Sequence, residues 1–356
     1  MPRKGENIYK RRDGRWEGRY KTETAKYRSI YGKTYQEVKT KLLAFKATPM
    51  PKNSSGKLTI KVLFEEWLSA VKLKIKESTY ANYRMKADKH ILSQFADIRY
   101  ENLTVQMLHN FIESKLNSGL SAKYISDIVI VFKSMAKYIS RVHGLRNPIA
   151  DVVLPKSYKK EINLFSDIQQ KKLCKYLLKN TDNTSLGILL SIYMGLRIGE
   201  VCSLKWSDIN LEKSILTVKR TVQRIRTGEH GTRLIIDTPK SRSSQRVIPI
   251  PLFLMNILRK LHKRNDFYIL SGSEKIIEPR TMQRKFKTIL KKAKLPSINY
   301  HSLRHMFATN CIQLGFDVKT LSEILGHASV ETTLNRYVHT SIERKTQCMN
   351  LMRIVT

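Results

Sequence analysis

The 356-residue chain is 41% apolar and 27% charged, a balance that builds globular domains and excludes a disordered chain. Its 66 basic and 29 acidic residues give a formal net charge of +37, which points to a polyanion, nucleic acid first, with a ribosome-bound or merely basic protein as the alternative. The cysteines (Cys174, Cys202, Cys311, Cys348) form no CxxC pair, so neither a zinc site nor a disulfide framework is expected, and the apolar stretch 187–196 is too short to span a bilayer. Nothing behind Met1-Pro2-Arg3-Lys4-Gly5 reads as a signal peptide. A cytoplasmic protein with no membrane contact is expected.

The fold class expected is mainly α with small β elements (α+β), in three units: 1–48, 58–146 and 162–356. The first 57 residues hold 16 Lys/Arg against 5 Asp/Glu. After the turn signal Asp13-Gly14, Trp16 and Tyr20 alternate with Glu17, Arg19 and Lys21, which is a strand period. A third strand is read at 26–31. Val38, Leu42, Leu43 and Phe45 then follow at helical spacing. Three strands and a helix give a small sheet whose exposed face carries Arg and Lys, with Arg11, Arg15, Arg19 and Lys21 as candidate DNA contacts. A sheet can enter the major groove; a solvated edge sheet without a partner is the alternative. Residues 49–56 read as a linker.

Residues 58–148 read as helices throughout. Val62, Leu63, Trp67, Leu68 and Val71 form one stripe over 59–73, and 78–90 is a basic helix with Tyr80 and Tyr83. Thr104 and Ser121 are caps, with Asn117-Ser118-Gly119 between their helices. The Lys and Arg residues of this bundle fit phosphate contacts or a solvated face equally. After a second linker ending near Glu161, Ser166 starts a helix to Asn180, and 184–194 is an apolar buried helix ending at Gly195. Residues 201–206 continue helically. Strands follow at 215–225, 234–239 and 245–251, and helices fill the rest.

Two arginines, Arg197 and Arg304, stand in apolar helical contexts where an unpaired guanidinium is costly. Each alone fits a structural ion pair; Glu200 is spaced to orient Arg197. Lys240 lies at a hairpin turn and alone fits an ordinary turn lysine. His301 and Arg304 share a helix face, His327 follows Leu325-Gly326, and Tyr337 lies just past a helix start at Thr332-Thr333. Imidazole, guanidinium and phenol together would make an anion-handling nucleophilic site.

The ordered set is more specific. It runs Gly195-Leu196-Arg197-Ile198-Gly199-Glu200, Thr238-Pro239-Lys240, His301-Ser302-Leu303-Arg304-His305, Leu325-Gly326-His327-Ala328-Ser329, then Tyr337 with His339. In order and spacing this resembles the tyrosine recombinase (phage integrase) family, with no departure at its catalytic positions. The helical unit resembles that family's core-type DNA-binding domain. The N-terminal unit resembles the arm-type domain of integrases from conjugative transposons and temperate phages.

The resemblance implies that Tyr337 attacks a DNA phosphate to give a 3′-phosphotyrosyl enzyme. Arg197 and Arg304 would grip the non-bridging oxygens, and His327 would donate a further hydrogen bond. Lys240 would protonate the leaving 5′-oxygen, and His301 would act as acid/base near the phenol. Glu200 would support Arg197 or His301. It also implies no metal or cofactor, double-stranded DNA with core-type and arm-type sites as substrate, and a homo-tetramer on DNA. A directionality factor (excisionase) and a host DNA-bending protein are further implied partners. The tail 340–356 has the spacing of an amphipathic segment, docking in cis or on a neighbouring protomer.

The main expectation is a site-specific integrase of a mobile element such as a prophage or conjugative transposon. A type IB topoisomerase has a related site but no need of a second DNA-binding module. A non-enzymatic regulator would not need Tyr337 and both arginines intact. Chromosome-dimer recombinases of the same family are usually shorter.

Overall fold

The computed structural model describes residues 7–11, 13–21, 27–47, 58–157, 164–228, 231–237, 245–337, 346, 349 and 350. They fall in two compact units, one drawn from residues 1–60 with 97–102 and the other from 61–96 with 103–356.

In the first unit, β1 (Ile8–Lys10), β2 (Trp16–Lys21) and β3 (Tyr27–Gly32) form an antiparallel sheet in that order. Helix α1 (Tyr35–Ala47) covers one face. Its Val38 and Leu42 bury against Ile8, with Trp16, Ile30 and Tyr35 packed around them. Gly18 permits the close approach: a Cβ there would lie 2.5 Å from the Leu42 side chain. Because strand side chains alternate, the opposite face belongs to the paired row Tyr9, Glu17, Tyr31 and to the pair Arg19 and Ser29.

The second unit begins with helices. These are α2 (Ile60–Lys72), α3 (Glu77–Lys86), the short α4 (Ser93–Phe95), α5 (Val105–Asn117) and α6 (Ala122–His143). The expected helix over 78–90 is α3 running into a π-helical stretch, Ala87–Leu92. Its wider turn lets His90 and Ile91 both reach the interior. Thr104 and Ser121 cap as expected, accepting from the Met107 and Tyr124 amides at 3.2 and 3.3 Å. Phe64, Phe95, Phe111 and Phe132 meet ring to ring at the centre.

The remainder of the unit is built around one apolar helix. After α7 (Asp167–Lys179), started by a Ser166–Gln169 capping box, comes α8 (Asn183–Met194), buried along nearly its whole length. Then follow α9 (Ile198–Cys202), β4 (Ile209–Asn210), β5 (Ile215–Val218), β6 (Thr221–Thr227), β7 (Gly231–Asp237) and β8 (Arg246–Pro249). Strands β4, β5 and β8 form one antiparallel sheet, and β6 with β7 a separate hairpin. The expected strand 215–225 therefore breaks at Lys219-Arg220, because Asp208 pairs with both side chains there. The expected helix over 201–206 stops at Cys202, where the Ser203 hydroxyl takes the helix carbonyls of Gly199 and Glu200.

Helices α10 (Leu252–Leu261), α11 (Pro279–Lys292), α12 (Ser302–Gln313), α13 (Val318–Leu325) and α14 (Val330–Tyr337) complete it. Between α10 and α11 the chain is not helical; Tyr268 bridges to Lys205 and Ser273. The whole is mainly helical with small antiparallel sheets, the α+β class read from the sequence. Among the described residues no helix is long and apolar enough to cross a membrane.

Candidate active site

Three arginines converge on the last turn of α13. A helix C-terminus leaves carbonyls without partners and carries partial negative charge, so it favours cations. Arg246 donates from Nε to the Ile324 carbonyl, Arg304 from NH2 to Leu325 at 2.6 Å, and Arg197 from NH2 to Gly326 at 3.2 Å. The other end of Arg304 donates to the Gly195 carbonyl at 2.7 Å, the C-terminus of α8. Gly195 turns α8 into the Arg197 segment with φ +64°, and a Cβ there would strike Phe307 at 2.5 Å. Two glycine-capped helix ends, Gly195 and Gly326, thus hold guanidiniums from three distant segments.

Among the described residues, the carboxylate that meets these charges is Glu200. Glu200, 3% exposed, accepts from Arg197 NH1 at 2.8 Å and from Arg246 NH1 and NH2 at 3.0 Å each. Its Oε2 also accepts from the Arg197 amide at 2.9 Å. Burial works against the charged form of Glu200, but Arg246 and then Arg197 hold its pKa below the ordinary value. Arg304 is 2% exposed with backbone carbonyls as its partners. Burial first, and the nearby Arg197 next, pull it down to about 9, so it stays charged at neutral pH. Among the described residues, Arg197, Arg246 and Arg304 thus gather around one carboxylate, Glu200, an arrangement suited to an anion.

The histidines and the tyrosine line one edge of this cluster. Tyr337 is the last residue of α14, whose start lies at Val330, two residues before the expected Thr332-Thr333. Its hydroxyl lies 2.7 Å from His305 Nδ1, and its ring stacks on His327 at 6.3 Å with an interplanar angle of 3°. His327 Nδ1 meets the hydroxyl of the fully buried Thr333 at 2.8 Å. His301 is exposed at the start of α12, with its ring against His305 at 4.7 Å. Desolvation first pushes His301, His305 and His327 down to about 4, joined next by His305 at His301, by Arg336 at His305 and by Arg304 at His327, so all three rings are neutral at pH 7. Burial raises the pKa of Tyr337 while Arg304 and Arg336 oppose the rise.

Of the residues singled out from the sequence, Arg197, Glu200, His301, Arg304, His327 and Tyr337 come together here. Lys240 lies outside the described residues, as does nearly all of the tail 340–356. Arg11, Arg15 and Arg19 belong to the N-terminal sheet region, and Lys21 ends β2 paired with Tyr27. Three members of the cluster were not anticipated as such: Arg246, His305 and Thr333. A signal for Arg246 existed. In β8 it alternates with Val247, which is 56% exposed, and so shares the inward face with Ile248.

A model of the phage integrase family matches residues 157–344, more than half of the chain. The chain belongs to the phage integrase family. A second model, the phage integrase N-terminal SAM-like domain, matches residues 59–116. A tyrosine recombinase XerC-like protein of Caldanaerobacter subterraneus subsp. tengcongensis is 27% identical over 325 residues, 83% of each chain. The ICEBs1 integrase of Bacillus subtilis is 25% identical over 301 residues, 80% of each. Among solved structures, the Tn1549 transposon integrase in complex with transposon right end DNA shares the fold. Its TM-score is 0.70 at 19% identity, over 82% of this chain and 98% of that one. This family member is an enzyme, a site-specific DNA recombinase of the tyrosine type.

Proposed function

We propose that this recombinase integrates and excises a mobile element, such as a prophage or conjugative transposon, through a 3′-phosphotyrosyl intermediate formed on Tyr337. The observation that carries the chemistry is the convergence of Arg197, Arg246 and Arg304 on the end of α13 with the Tyr337 hydroxyl at their edge. A scissile phosphate is the anion these guanidiniums receive. Arg197 and Arg304 take the non-bridging oxygens, and their charge is worth most where negative charge grows in the transition state. Glu200 and Arg246 act through Arg197 by fixing its fork.

A neutral His327 whose Nδ1 accepts from Thr333 carries its proton on Nε2, a donor for the same phosphate. Lys240 protonates the leaving 5′-oxygen, and neutral His301 stands ready to take or return the proton near Tyr337. The product stays a phosphodiester, so the reverse attack by a 5′-hydroxyl rejoins the strand without ATP.

We assign 1–48 to arm-type sites, 58–146 to core-type sites and 162–356 to catalysis. Helix α11 presents Arg280, Arg284, Lys285 and Lys287 at its exposed surface, suited to phosphate contacts in duplex DNA. The working assembly is a tetramer on DNA in the cytoplasm, with a directionality factor and a DNA-bending protein as further partners. Likeness to the ICEBs1 integrase over 80% of both chains supports the mobile-element role. Likeness to a XerC-like recombinase supports the second reading, a chromosome-dimer recombinase.

A nicked suicide half-site tests the chemistry. The wild-type chain should be trapped as a covalent adduct and Tyr337→Phe should not; an adduct on the variant would remove Tyr337 as nucleophile. Deleting residues 1–48 separates the two biological roles. An integrase keeps cleavage of isolated core sites but loses integration between full sites, whereas a chromosome-dimer recombinase loses neither.

A further inference from the structure

The helix-free face of the N-terminal sheet holds a carboxylate where a DNA-binding face has least use for one. Glu17 is 3% exposed at the middle of β2, between Tyr9 and Tyr31. Its Oε1 accepts from Arg19 Nε at 2.9 Å and from the Ser29 hydroxyl at 2.6 Å, and its Oε2 accepts from Arg11 NH1 at 3.2 Å. Each guanidinium also lies over a tyrosine ring, Arg19 over Tyr9 at 5.0 Å and Arg11 over Tyr31 at 5.5 Å. Both arginines nevertheless stay open to solvent, 52% and 42% exposed along their side chains. Glu17 therefore braces two outward cations from beneath and does not bury them.

We infer that this face reads guanine in the major groove of duplex DNA through Arg19, with Glu17 as the positioning residue that sets its guanidinium fork; Arg11 spends its NH1 on Glu17 and the Tyr31 hydroxyl and its Nε lies 3.5 Å from Asp13. The inference rests on the assignment of residues 1–48 to DNA binding. Arg19 engages Glu17 through Nε, which turns its two terminal amino groups away from the carboxylate. That pair of donors matches the O6 and N7 acceptors of guanine. An arginine already fixed by a carboxylate and a ring loses little rotamer freedom on binding. The Ser29 hydroxyl and then Arg19 hold Glu17 down at about 2, so the brace is charged at any working pH. The same negative charge disfavours indiscriminate phosphate binding. Specificity is raised and general affinity lowered by one residue.

The test selects random-sequence duplexes with the full chain and with the chain lacking residues 1–48. Sequence enriched by the first and not by the second belongs to the N-terminal unit. That sequence should contain guanine whose replacement by 7-deazaguanine weakens binding about tenfold or more. Glu17→Gln should cut the guanine-over-adenine preference about tenfold while binding random duplex as well as or better than wild type. Arg19→Lys keeps the charge and the ion pair, leaving the sheet intact, and should lose the guanine preference alone. Full preference in both variants, or an enriched element without guanine, overturns the inference. Identical selection by the truncated chain instead overturns the assignment of residues 1–48 on which it rests.

Discussion

Arg246→Ala tests whether the arginine cluster is held together by the Glu200 carboxylate. Arg246 and Glu200 form a forked pair whose side chains are 5% and 3% exposed. Removing one partner of such a pair costs about 3–5 kcal/mol, because the remaining charge stays buried. Glu200 keeps Arg197 as a partner, so the lower end is expected, about 3 kcal/mol. Native-state hydrogen exchange of the α8 amides reads this directly, since that helix is buried almost throughout. Glu200→Gln and the double variant complete a cycle whose coupling should exceed about 1 kcal/mol.

The pH dependence has a definite sign. The folded pKa of Glu200 lies below its ordinary value. Its contribution is therefore fully present above the unfolded value, about 4.3, and is lost as pH falls through the lower folded value. In Arg246→Ala, burial acts against Arg197 alone, so the loss begins at higher pH. A stability change below about 1 kcal/mol with no shift of the acid limb would refute the argument.

Three further outcomes follow from the same geometry. The His305 and His327 ring protons should titrate by NMR near 4 in the DNA-free protein; since these folded values lie below the unfolded one, both rings contribute stability that is whole above about 6.5 and declines as pH falls toward 4. Thr333→Val removes the hydroxyl at His327 Nδ1 and should slow single-turnover cleavage about tenfold or more, with duplex affinity by gel shift unchanged. His305→Ala frees the Tyr337 hydroxyl, and adduct formation should slow about 10- to 100-fold at unchanged affinity; a rate equal to wild type would remove His305 as a positioning residue for the tyrosine.

Residue chemistry and local order were legible from the chain itself. Apolar periodicity marked α2 and a continuous apolar run marked α8, hydroxyl caps marked the starts of α5, α6 and α7, and glycine marked the ends of α8 and α13, because each signal acts within a few residues. The ordered motif around Arg197, Arg304, His327 and Tyr337 marked the family for a similar reason: it is carried by particular side chains in a fixed order.

Tertiary structure decided which groups share charge and which share protons. Arg246 reaches Glu200 across 46 positions of sequence and Arg304 reaches Gly195 across 109, separations at which no local period carries information. The last turn of α13 gathers three arginines because helix-end carbonyls are acceptors only in space, where the ends of other segments arrive. His305 and Thr333 likewise acquire their roles from α12 and α14 meeting at Tyr337 and His327. The sequence determined which side chains are available to the site; packing decided that Arg197, Arg246 and Arg304 meet at the end of α13 with Glu200 between two of them.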